Sequence, residues 1–125
     1  MSWVERIKKE WHQDRLDSIL TEVLEADLVD IDDLKNIIKS DVEYYFRTAA
    51  IQRLALLIGT ESESFFEEVI AKFVPEIQKF KELLPFQRRL IVSSRDEWVI
   101  KTLCDWLIII KDPEGLQKLR KMEGL

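Results

Sequence analysis

The stretch WVIKTLCDWLIII, residues 98–110, decides the class of fold. At about 100° per residue, Val99, Leu103, Trp106 and Ile110 fall on one narrow stripe. Ile100, Cys104 and Leu107 flank it on one side, Trp98 and Ile109 on the other. Lys101, Asp105 and Asp112 make a polar stripe, and Ile108 borders even that. The spacing is helical, and the helix is apolar nearly all round. A surface helix needs an apolar stripe only about 100° wide. Two readings follow: the helix is the centre of the domain, or one face packs on another molecule. In the second, Trp98, Ile100, Leu107 and Ile108 form a partner interface. Trp is enriched at binding hot spots, and exposed Ile and Trp otherwise favour aggregation. The stretch is 13 residues long and carries Lys101 and Asp105. A transmembrane helix needs about 20 apolar residues. Cys104, set in this apolar run, is expected to be a small buried hydrophobe.

Outward from this stretch, helix-start signals recur. Ser2 with Glu5, Ser40 with Glu43, Ser64 with Glu67 and Ser94 with Glu97 each fit S-x-x-E, and Thr60 with Glu63 competes for one start. Asp112 followed by Pro113 reads as an N-cap with Pro at N1, Asp30 as a further cap, and Gly59 as a helix end. Helical apolar stripes lie between these signals: Val4, Ile7 and Trp11; Leu16, Ile19, Leu20, Val23 and Leu24; Ile31, Leu34, Ile37 and Ile38. Val42, Tyr45, Phe46, Ala49, Ala50, Leu54 and Leu57 form a longer one. The longest runs from Phe66 to Leu84, with Phe66, Phe73 and Phe80 at core-seam spacing and a kink expected at Pro75. The stretch 86–92 reads as a short helix, and a last helix begins at Pro113. The expected fold is all-α: a single bundle-like domain over 1–125, of six to eight helices with short loops. Residues 1–30 are open to forming an N-terminal helical arm.

Composition agrees with this class. Of 125 residues 46% are hydrophobic, far too many for a disordered chain, and three Gly and three Pro are too few for the turns of an all-β fold. One Cys permits no internal disulfide and no cysteine metal cluster. The N-terminus lacks the basic-then-apolar pattern of a signal peptide, so a cytoplasmic protein is expected. High charge, abundant Ile and Leu and a single Asn lean towards a thermophile. The net charge of -5 is uneven: residues 1–44 hold 12 acids and 6 bases, residues 45–125 hold 12 acids and 13 bases. An acidic whole disfavours nonspecific nucleic-acid binding but leaves room for a local basic patch.

Chemistry-bearing constellations are sparse. Three scattered Gly exclude a phosphate-cradling loop, and a single His excludes paired E-x-x-H motifs. The acidic run Glu22, Glu25, Asp27, Asp30, Asp32 and Asp33 fails as an EF-hand, because its fifth and sixth positions from Asp30 are Leu34 and Lys35. It reads as helix caps and solvated loop, or as a docking surface for a basic partner. Arg88, Arg89 and Arg95, with Lys118, Arg120 and Lys121, offer a candidate phosphate-binding patch, though no aromatic interleaves them for base stacking.

Arg6 and His12 form R-x5-H, a spacing that resembles the motif of HEPN-type ribonucleases. The resemblance implies RNA cleavage by the pair. Ile7 stands where that family prefers a polar residue, and the two side chains lie about 240° apart on a straight helix. No metal, cofactor or small-molecule substrate is expected. The favoured expectation is a non-enzymatic helical interaction module, homodimeric or an accessory subunit of a larger assembly. The alternative is an accessory factor touching nucleic acid through Arg88, Arg89, Arg95, Lys118 and Lys121, similar in composition to small helical subunits of replication or defence complexes.

Overall fold

The computed structural model describes residues 2–25, 30–82 and 95–125. Among them are seven α-helices and one 3-10 turn, and no strand: α1 (Trp3–Lys9), α2 (Gln13–Glu25), α3 (Ile31–Lys39), α4 (Tyr44–Ile58), the 3-10 turn (Gly59–Ser62), α5 (Glu63–Glu82), α6 (Arg95–Ile109) and α7 (Pro113–Met122). The chain folds as an all-α, bundle-like domain.

The central helix is α4. Helices α2, α3, α6 and α7 all lie against it, α5 meets α6 and the 3-10 turn, and α1 lies on α3. Phe46, Ala50, Ile51, Leu54 and Ala55 of α4 have no solvent exposure. Ala49, Ala50 and Ala55 keep its surface thin, which lets neighbouring helices approach closely. Around it the core takes Leu34, Ile37 and Ile38 from α3, Val23 from α2, Phe66 and Val69 from α5, and Val99 and Leu103 from α6. Ile7 and Ile19 also join the core, so α1 and α2 both contribute side chains to it.

The placement of α4 at the centre sets aside the first of the two readings of 98–110, that this helix is the centre of the domain. Arg47 and Arg53 interrupt the apolar pattern of α4 in the sequence, yet both are buried. Arg47 is accommodated because its Nε donates to the Ile38 carbonyl, 2.9 Å away, at the end of α3. That carbonyl has no partner within its own helix, so the guanidinium completes the helix end.

The caps follow the sequence in part. Ser2 Oγ accepts from the Glu5 amide at 3.1 Å, Asp30 Oδ1 from Asp33 at 2.8 Å, and Asp112 Oδ1 from Gly115 at 3.2 Å, with Pro113 opening α7. The expected capping box of Ser40 and Glu43 does not form. Ser40 instead ends α3, its Oγ donating to the Ile37 carbonyl at 2.7 Å, and Glu43 precedes α4 without a side-chain cap bond. Neither Thr60 nor Ser64 caps α5, which grows directly from the 3-10 turn. The break after α1 is fixed by Glu10, whose Oε1 accepts from the Trp11 and His12 amides. Helix α5 stays helical through Pro75. Phe66 is fully buried. The side chains of Phe73 and Phe80, the stretch 86–92 and the Ser94 cap lie outside the described residues.

Gly59 closes α4 with φ 56° and ψ -126°, a conformation that L side chains rarely adopt. A Cβ there would sit 3.0 Å from Arg120 Nη2 and 3.2 Å from Leu116 Cδ2. Helix α7 therefore rests directly on this glycine, and Arg120 Nε donates to the Leu56 carbonyl at 2.7 Å. Gly59→Ala is expected to destabilise the domain by roughly 1–3 kcal/mol, the cost of a strained backbone. Urea unfolding of the two proteins, compared at equal slope, checks it.

Candidate functional site

Helix α6 presents two unlike faces. Val99 and Leu103 are fully buried, Ile110 follows in the turn beyond, and Trp106 and Leu107 are half-buried against the core. The opposite face carries Trp98, 51% exposed, and Ile108, 73% exposed, with Lys101, Cys104 and Asp105 also in solvent. Of the four interface residues read from the sequence, Trp98 and Ile108 thus share the outward face. Ile100 is half-buried and, with Glu97, Trp98 and Lys101, lines a groove of about 410 Å³. Leu107 is turned to the core. The expectation of a buried Cys104 is corrected: its thiol is exposed, because the run that surrounds it in sequence wraps around a helix of which only one side meets the core.

Lys101 Nζ stands 5.1 Å from the centre of the Trp98 ring, a cation–π contact. Asp105, one turn further on, has no ion-pair partner among the described residues. In the sequence Lys101 and Asp105 read only as a polar stripe. The signal that joins them to Trp98 and Ile108 is their spacing of three, four and three residues, which puts all four within an arc of about 80°.

The basic candidates separate. Lys118 and Lys121 are exposed on α7, whereas Arg120 is committed to the Leu56 carbonyl. Arg88 and Arg89 lie outside the described residues, as does the side chain of Arg95.

Arg6 and His12 do not share a helix. Arg6 lies over the Trp3 ring and pairs with Glu22 at 3.0 Å, while His12 follows the end of α1 and stacks on the exposed Trp11. A cleft of about 380 Å³ between α1 and α2 is lined by Arg6, Lys9, Glu10, Arg15, Ser18, Ile19 and Glu22. Its charges are largely paired within it, Arg6 with Glu22 and, at 3.8 Å, Arg15 with Glu10.

The acidic run is likewise in structural use: Glu22 holds Arg6, and Asp30 caps α3. Asp27 lies outside the described residues. Partial burial, then the neighbouring Asp30 carboxylate, pushes the Asp33 carboxyl above its ordinary range. On the far side of α3, the Lys8 ammonium 2.7 Å from Asp41 holds that exposed carboxyl below its usual value. Among the described residues no cluster of three His, Cys, Asp or Glu side chains could hold a metal ion. No helix there is long and apolar enough to cross a membrane. No family model matches the chain, and no curated protein or solved structure matches it.

The raised Asp33 pKa means that its ionised form is less favourable in the folded chain than in the unfolded one. This cost is present at neutral pH and is relieved as pH falls through the folded pKa. Asp33→Asn is therefore expected to raise the thermal midpoint at neutral pH, and the gain should vanish near about pH 3, where both states are largely protonated. Circular-dichroism melts at the two pH values check the sign.

Proposed function

We propose that this chain is a small, non-enzymatic helical interaction module that self-associates or serves as an accessory subunit of a larger assembly, binding through the outward face of α6. The observation that carries the reading is the pair Trp98 and Ile108, both more than half exposed on one face of a helix whose other face is core. Fully burying a large apolar side chain is worth about 1.5–3 kcal/mol, and an aromatic anchor adds specificity of shape. Two such anchors, about 3–6 kcal/mol together, match only the low end of the estimated 4–15 kcal/mol cost of association. The partner must therefore add contacts of its own, and the complex belongs to the weak, reversible class.

A further feature supports binding over catalysis. Arg6 is tied up in an ion pair, and His12 lies beyond the end of α1, outside the helix that carries Arg6. The exposed Cys104 thiol suits a reducing, cytoplasmic setting. Contact with nucleic acid has one observation in its favour, the exposure of Lys118 and Lys121.

Light scattering behind size exclusion tests the reading. We expect species heavier than the 14.9 kDa monomer as concentration rises, with the ultraviolet absorbance of protein alone. Trp98→Ala and Ile108→Asp are each expected to lower that mass while leaving the helical circular-dichroism signal of the folded chain unchanged. Unchanged mass in both variants would remove this face from the proposal, and co-eluting nucleic acid would favour the basic residues instead.

A further inference from the structure

Resting on the reading that the outward face of α6 binds, we infer that its occupant is a second copy of this chain, with the two α6 helices antiparallel about a two-fold axis at the level of Leu103. The order of residues along the face is self-complementary. Trp98, Lys101, Asp105 and Ile108 occupy the a, d, a and d positions of one and a half heptads. The positions that point into the domain's own core, Val99, Leu103 and Ile110, fall on the opposite side of the same repeat. In an antiparallel pair an a residue meets a d residue. The two-fold then sets Trp98 against the partner's Ile108, Lys101 against the partner's Asp105, and the same two layers again in reverse. Apolar meets apolar at both ends and cation meets anion in the middle.

The alternatives are worse. A parallel pair in register puts Lys101 on the partner's Lys101 and Asp105 on the partner's Asp105, a like-charge clash. An antiparallel slip by one heptad leaves only two of the four layers, either Trp98 on a lysine or Asp105 on an isoleucine. The charged pair thus fixes orientation and register, as polar residues in coiled-coil seams do. The chain as folded is ready for this exchange: Asp105 has no ion-pair partner among the described residues, and Lys101 rests over Trp98 rather than reaching back to Asp105. The two-fold also counts every anchor twice, which supplies the additional contacts that one Trp and one Ile lack.

The native cysteine provides a built-in probe. Cys104 is exposed beside the seam, one residue from the axis. Across the proposed pair the two thiols are offset by only about 3 Å along helices about 8–10 Å apart. A short bis-maleimide is expected to give one covalent dimer from the folded wild-type chain. Lys101→Asp and Asp105→Lys should each weaken self-association by about tenfold or more through like-charge contact. The double variant Lys101→Asp with Asp105→Lys should recover it. That pattern, with unchanged circular dichroism, supports the pairing. If neither reversal has an effect and Cys104 does not cross-link, while Trp98→Ala and Ile108→Asp still weaken association, the face binds in another way and only the antiparallel pairing is overturned. A chain that stays monomeric at every concentration overturns the pairing outright, and unchanged mass in the Trp98 and Ile108 variants of an associating chain overturns the choice of face as well.

Discussion

Helix α4 can be buried only because the carbonyl ends that helices leave open are closed from outside. The last turn of any α-helix has carbonyls without intrahelical partners, and leaving one in an apolar interior costs about 1–3 kcal/mol. Here two guanidinium groups meet that demand. Arg120, from α7, bonds the Leu56 carbonyl near the end of α4, and Arg47, within α4, bonds Ile38 near the end of α3. A positive charge at a helix C-terminus also suits the helix dipole. Gly59 completes the arrangement, since a side chain there would displace both Arg120 and Leu116.

Much of this was legible in the sequence, and the failures have a common physical cause. Caps by Ser2, Asp30 and Asp112 are local, because side chain and amide lie three residues apart, and they can be read without knowing the fold. The end of α4 at Gly59 is equally local. What could not be read was which helix is central. Periodicity treats arginine as a mark of solvent, and Arg47 and Arg53 break the apolar run of α4. The carbonyl of Ile38, brought there by the packing of α3 on α4, gives the buried Arg47 a partner that the sequence alone does not reveal. Ser40 failed as a cap for a similar reason: it could serve the end of α3 or the start of α4, and the structure gives it to α3.

The candidate surface was legible by half. The excess of apolar residues in 98–110 is a sequence property, and Trp98 and Ile108 are in solvent as the interface reading required. Leu107 is not, and Cys104, expected inside, is out. The phase of a helix that is apolar all round cannot be set from its own residues, since every rotation buries something hydrophobic. It is set by the neighbour. Once Val99 and Leu103 are known to face α4, the outward residues follow, and the two charges among them become part of a pattern rather than an interruption.

The hydrogen bond from Arg120 to Leu56 joins residues 64 positions apart. A chain made from its N-terminus therefore completes α4 long before the group that ties off its end has been synthesised. Until α7 is in place, the Leu56 carbonyl lacks the guanidinium that closes it in the folded chain. Closing so long a loop is entropically costly and slow compared with forming the local caps. Residues 113–122 thus act as a latch: the tie that closes the end of the central helix is made by a segment far from it in sequence.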